Sequence, residues 1–386
     1  MNQLSIITFI ISSIANCPIL LLNSVSKKFQ EEFLMSKVRF LFCIFVSIVV
    51  ISISATAVFA AKGNADVRIN VAKQRFAAND RVDVDVTISN PNKGSIRILK
   101  WFTPVDDVEE PLFNITRDGV KIEYVGAHYK RPEPTDKDFF ILKSGESITR
   151  TVDLAQYYDL SATGIYSVSF DVGSFELYQK GHSVVENIQT LKSDGLQIWI
   201  EGRAVKTPEP SAPDAVTGSN SYTKCTTTQQ TQVAAARNDA ANYAANSLSY
   251  LLAGTQGSRY TTWFGVYNSG RYTAVRSNFT NISNAMDTAP MTFDCGCKKQ
   301  YYAYVYPNQP YTIYLCRIYW TAPATGTDSK AGTLIHETSH FTVVAGTDDW
   351  VYGQSGAKNL AISDPTKAID NADSHEYFAE NTPFQP

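Results

Sequence analysis

The stretch TLIHETSHFTVVAGTDDWVYG, residues 333–353, holds two histidines four positions apart, His336 and His340, with Glu337 beside the first and Asp349 nine positions after the second. On a helix, residues i and i+4 share a face, so both imidazoles can be directed at one metal ion. Glu337 then projects beside them, within reach of a water on that ion without ligating it. Zinc lowers the pKa of such a water towards neutrality and the carboxylate can take its proton, which is the chemistry of metal-assisted peptide hydrolysis. Leu334, Ile335, Phe341, Val343 and Val344 make the helix apolar enough to be buried. Two imidazoles and a carboxylate left unpaired there would be costly, and a cation removes that problem.

A hydrolytic zinc needs a third protein ligand and one open position. An H-x-x-G-x-x-H continuation is missing, because Val343 and Gly346 stand where its glycine and last histidine would be. The helix, expected over residues 331–345, should instead stop at Gly346, where a left-handed backbone is easy, and turn back through Thr347. On chemistry alone either Asp348 or Asp349 could then reach the metal. Downstream, Asp373 and Glu376 are i, i+3 neighbours on a further expected helix, so both carboxylates can converge on one cation. A solvated acidic face is the plainer reading of that spacing.

These groups must be carried by a folded domain, and the surrounding sequence outlines one. Residues 229–253 are rich in alanine, lack Gly and Pro, and end at Gly254, as a long helix with a glycine stop does. Shorter helical patterns occupy residues 357–362 and 365–380, the second with Pro365 in its first turn. Residues 260–320 are aromatic and β-branched and read as short strands and irregular segments. Cys225, Cys295, Cys297 and Cys316 suggest two disulfides in an exported chain, and Cys295-Gly-Cys297 is too tight to close on itself.

The preceding region has a different character. VDVDVTI (82–88) and YSVSFDV (166–172) alternate apolar and polar residues with period two, and turn clusters separate such runs. Residues 61–201 therefore read as an all-β immunoglobulin-like sandwich, a propeptide or accessory module, with Gly164-Ile-Tyr166 resembling a tyrosine corner. His128 and His182 stand alone in it and read as surface or packing residues. Residues 202–221, with three prolines among small polar residues, form a linker. Residues 222–386 remain as a second, α+β, mainly helical domain.

At the N-terminus, residues 4–22 and 40–60 are apolar. Lys37 and Arg39 before the second stretch and Val58-Phe59-Ala60 at its end read as a secretory signal cut near Ala60, leaving residues 1–34 as upstream sequence. A membrane hairpin or anchor is the alternative. A net charge of −3 and a pI near 6.0 supply no basic field for nucleic acid.

His336-Glu-Thr-Ser-His340 followed by Gly346-Thr-Asp-Asp-Trp-Val-Tyr-Gly353 resembles the signature of the deuterolysin, or aspzincin, metallopeptidases. The resemblance spans residues 222–386 and implies a zincin-type fold for them. It implies one zinc per chain held by His336, His340 and Asp349, with Asp348 at a variable position, Glu337 as the base and Tyr352 donating to the developing oxyanion. Asn371-Ala-Asp-Ser-His-Glu-Tyr-Phe-Ala-Glu380 is similar to the peptidyl-Lys branch. That implies Asp373 and Glu376 receive the lysine after the cut bond, in protein and peptide substrates. The same resemblance implies pairing of Cys225 with Cys295 and Cys297 with Cys316. The expected protein is thus a secreted, monomeric zinc endopeptidase. A broader deuterolysin-like specificity and a non-catalytic surface-binding role of the sandwich are the alternatives. His375 has no evident role, and Glu376 as a distant zinc ligand is a rival assignment.

Overall fold

The alternation at residues 82–88 becomes the strand Asp83–Ser89, in which Val84, Val86 and Ile88 are buried. It lies antiparallel between Asp66–Asn70 and Ser147–Asp153. A second sheet runs in the order Arg75–Phe76, Leu196–Ile200, Gly164–Ser174, Phe113–Arg117, Val120–Lys121. Inward residues of both sheets, among them Val84, Phe113, Tyr166, Phe170 and Ile198, share one core. The Tyr166 hydroxyl donates to the Ala162 carbonyl, the bond expected of a tyrosine corner. The computed structural model describes residues 65–174, 177–178, 189–204 and 218–386. The two apolar N-terminal stretches, His182, and residues 205–217 of the linker with Lys206 lie outside the described residues.

The β-rich region is followed by a mainly helical domain. Its first helix, α1 (Thr227–Leu252), is capped by Thr226, which accepts from the Gln229 amide while the Gln229 side chain reaches back, and Gly254 follows at φ +71°. Then come α2 (Ser258–Phe264) and α3 (Ser269–Thr288). The sequence reading of residues 260–320 as strands and irregular segments is corrected by α3, a helix of 20 residues. Its Ser, Thr and Asn content hides it in propensity. Its buried residues Tyr272, Val275, Phe279, Ile282 and Met286 nevertheless keep helical spacing.

Three strands of that segment, Met291–Asp294, Ala303–Val305 and Thr312–Leu315, belong to a five-stranded sheet, and α4 (Arg317–Thr321) follows. The disulfides are Cys225–Cys295 and Cys297–Cys316, as the resemblance implies. One edge strand of the sheet, His128–Lys130, comes from the β-rich region and runs antiparallel to Ala303–Val305. The motif helix α5 (Lys330–His340) ends at His340 rather than near residue 345, and a turn through Phe341 leads to Gly346 at φ +62°. The chain closes with α6 (Gly353–Ser363), α7 (Pro365–Ala368) and α8 (Ala372–Glu380). The described residues, from 65 to 386, belong to one compact unit. No helix among the described residues is long and apolar enough to cross a membrane.

Helices α5 and α8 approach so closely at Gly332 that a Cβ there would lie 2.0 Å from Glu380 Oε1 and 2.9 Å from Glu376 Oε1. The Glu380 carboxylate cannot step aside freely, because it accepts from the amides of Asp328 and Ser329 and from the Ser329 hydroxyl. Gly332→Ala is therefore expected to destabilise the fold by about 1–3 kcal/mol, read as a lowered urea midpoint. An unchanged midpoint would show that the two helices have slack at this point.

Candidate active site

Helix α5 delivers His336, Glu337 and His340, all fully buried, to one face as the i, i+4 spacing requires. The turn at Gly346 brings the chain back so that Asp349 faces the two imidazoles. Its carboxylate lies 3.3 Å from His336 Nε2 and 3.4 Å from His340 Nε2, and the two Nε2 atoms are 3.2 Å apart. A tetrahedral zinc with bonds near 2.05 Å separates its ligand atoms by about 3.3 Å. The three donors therefore fit that ion.

Each histidine is also set in the tautomer a metal needs. His340 Nδ1 donates to the Thr347 carbonyl at 2.6 Å, and His336 Nδ1 lies 2.8 Å from Asp373 Oδ1, so both Nε2 lone pairs point inward. Burial opposes charge on both imidazoles, yet the Asp349 carboxylate outweighs it and raises both above the ordinary histidine value. In return, and against its own burial, Asp349 is held well below the usual carboxylate range. Its two oxygens accept no hydrogen bond. Such a donor set calls for positive charge between its members, which a divalent cation supplies.

The backbone of the neighbouring Asp348 pairs with the 370–372 segment, through Asp348 N to Asp370 O and Ala372 N to Asp348 O. Glu337 also has both oxygens buried without a hydrogen-bond partner, and burial raises its pKa to about 7. A carboxylate there is poised to exchange a proton near neutrality.

Asp373 and Glu376, on α8, are fully buried rather than solvated. Between them sits Lys130 Nζ, 2.5 Å from Glu376 and 3.4 Å from both Asp373 and Asp328. The pocket thus holds an ammonium in place, walled by the rings of Tyr302 and Tyr377. Glu376 faces the Nδ1 side of His336, at 3.4 Å, whereas Asp349 and His340 face its Nε2.

Residues 250–380 match the family described as lysine-specific metallo-endopeptidase of the aspzincin type. An extracellular protease of Aeromonas hydrophila is 45% identical over 315 residues, covering 80% of this chain and 90% of that protein. This chain belongs to the aspzincin metalloendopeptidase family. A peptidyl-Lys metalloendopeptidase of Armillaria mellea is 38% identical over 344 residues, 86% of this chain and 96% of the relative. Among solved structures, the zinc peptidase from Grifola frondosa is 51% identical, covers 42% of this chain and 100% of its own, and gives a TM-score of 0.41. The chain is a zinc metalloendopeptidase of the peptidyl-Lys type.

Tyr352, just before α6, is buried and engaged. Its hydroxyl donates to Glu110 Oε1 at 2.7 Å and accepts from Arg131 Nη1 at 2.7 Å, while its ring meets Trp101 edge-on. Arg131 in turn pairs with Glu110. Glu110, Lys130 and Arg131 reach the cleft from the β-rich region, and His128 is buried with its ring centroid 4.7 Å from that of His340. Pairing across 243 residues, as between Lys130 and Asp373, leaves no local trace in sequence. Asp328 was also missed. It adjoins Ser329, whose N-cap role for α5 is the more visible signal.

His375 proves structural. Its Nδ1 donates to the Asn371 carbonyl, its Nε2 meets the Asn278 amide, and the ring stacks on Phe279. Burial pushes its pKa down to about 4. The unfolded chain, with histidine near 6.5, binds the extra proton between those values, so stability rises with pH across that window and is lost on acidification through it. His375→Gln should remove on the order of 3 kcal/mol of pH dependence, measured as urea midpoints at pH 7 and 4. An unaltered pH dependence would mean that His375 is not held neutral.

Proposed function

We propose that this protein is a secreted endopeptidase that hydrolyses bonds on the amino side of lysine, with His336, His340 and Asp349 holding one zinc. When bound, zinc polarises the scissile carbonyl and acidifies the attacking water. Glu337 takes the proton from that water and passes it to the departing amine nitrogen. Tyr352, once free of Glu110 and Arg131, donates its hydroxyl to the developing oxyanion. Asp373 and Glu376 receive the ammonium of the lysine that follows the cut bond.

The observation that carries this reading is Lys130 Nζ seated between Asp373 and Glu376, one shell from the converging histidines. A buried acidic pair sized for an ammonium argues for lysine selection over the broader specificity. Peptides matched except for lysine or acetyl-lysine after the scissile bond test it. Cleavage confined to the free lysine is expected, and equal cleavage of both would refute the reading.

In this scheme residues 61–201 form an immunoglobulin-like propeptide, residues 202–221 a linker and residues 222–386 the peptidase, released from a signal peptide ending near Ala60. Lys206 in the linker and Lys224 before Cys225 offer self-processing sites. Thr223 ends the sheet strand Asn220–Thr223 and Lys224 Nζ bonds Asp294, so cleavage before Lys224 would have to free that strand end first. N-terminal sequencing of secreted wild-type and Glu337→Gln protein should give different starts, and identical starts would exclude self-processing.

A further inference from the structure

The side chains of His336, His340 and Asp349 are shut off from solvent, so an ion that is to reach them in the intact chain needs a way in. One side offers none. His336 is backed there by Asp373 and Glu376, and the Lys130 ammonium fills the space between those carboxylates. The opposite side is hollow. A cavity of about 540 Å³ lies between the β-rich region and the 346–350 turn, and the buried His340 and Asp349 line its inner end. The exposed residues Asn114, Lys121 and Glu123 lie at its mouth.

The lining favours a cation. Two of its carboxylates are neutralised: Glu110 by Arg131, and Asp171 by Lys192 at 3.1 Å. Glu123, Asp348 and Asp349 remain against Lys121 and Lys367, and Lys367 is drawn over the Trp350 ring, 4.3 Å from its centroid. Glu123 holds its place at the mouth by accepting from the Thr342 hydroxyl at 3.1 Å. At the inner end both Asp349 oxygens are buried with no hydrogen-bond partner. Carboxylates set along a cleft with low-dielectric walls raise the local concentration of cations and speed their arrival.

We infer that this cavity is the port by which a divalent cation enters and leaves the metal centre while the β-rich region is in place, with Glu123 and Asp348 drawing it towards Asp349. The inference rests on the metal centre proposed above. The chain can then be metallated after folding and before the linker is cut, without the β-rich region moving aside. It also gives a task to the Asp348 carboxylate, whose backbone is tied to the 370–372 segment while its side chain lines the cavity.

The test uses the full chain carrying Glu337→Gln, stripped of metal, and follows the uptake of cobalt ion by the visible bands that report its ligation. Glu123→Lys should slow uptake roughly tenfold at low ionic strength, and its difference from the parent should shrink as salt is added. A bulky maleimide on Asn114→Cys should slow uptake and chelator-driven loss in equal measure and leave the final spectrum unchanged, because a port sets rates and not the equilibrium. The same label on Ser277→Cys, exposed on α3, should alter neither rate. Uptake by the Glu123 and Asn114 variants at the parent's rate would overturn the port. A His336→Ala control separates the two readings. If it takes up no cobalt while the port variants match the parent, only the port fails; if it binds cobalt with the parent's spectrum, the metal centre itself is misassigned and the port falls with it.

Discussion

Glu337→Gln should reduce turnover of a lysyl peptide by about 10²–10⁴-fold while leaving the metal content unchanged. The two effects separate because Glu337 touches none of the three metal donors by hydrogen bond: both its oxygens are buried and unpartnered. Glutamine has nearly the same shape and can still sit there, but it cannot accept a proton. Burial raises the Glu337 pKa to about 7, so the group that is lost is one matched to neutral pH. The comparison requires both proteins cut in the linker by the same added protease, since the variant is not expected to process itself. Retention of activity within a few-fold of wild type would remove Glu337 from the chemistry.

Glu376→Gln and Asp373→Asn are expected to differ, although both remove one pocket charge. Glu376 Oε2 is the nearest carboxylate to the Lys130 ammonium, at 2.5 Å. Breaking a buried ion pair costs about 3–5 kcal/mol, so Glu376→Gln should lower kcat/KM for lysine-containing peptides by roughly 10²-fold or more, with zinc retained. Asp373 has further duties: it lies 2.8 Å from His336 Nδ1 and accepts from the Gly353 amide at 2.6 Å. Its replacement should weaken lysine selection and also lower zinc affinity, by about 10–100-fold, as loss of a carboxylate behind a metal-bound histidine does. Kinetics and metal competition on the two variants decide this. Equal zinc affinity in both would show that the His336–Asp373 contact does not orient the ligand.

Much of this site was legible because its chemistry is local. The i, i+4 histidines need only a helix, and the turn at Gly346 needs only a residue that tolerates positive φ. Choosing Asp349 over Asp348 required the family signature, since either carboxylate could reach by chemistry alone; in the structure it is the Asp349 carboxylate that lies within 3.4 Å of both imidazoles. The alternating strands were visible by period two, and α1 by its alanines and terminal glycine. Helix α3 was obscured because Ser, Thr and Asn weaken its propensity while buried Tyr272, Val275, Phe279 and Ile282 carry it. The roles of His128, Lys130 and Glu110 could not be read locally at all, because each depends on a strand of the β-rich region meeting a sheet edge of the peptidase.

The most direct test of the central claim is a mass-spectrometric map of the bonds cut in a denatured protein mixture, with and without a zinc chelator. Cuts on the amino side of lysine, abolished by the chelator and restored by zinc, are the expected result. Cuts spread over many residue types, or cuts that persist in the chelator, would contradict it.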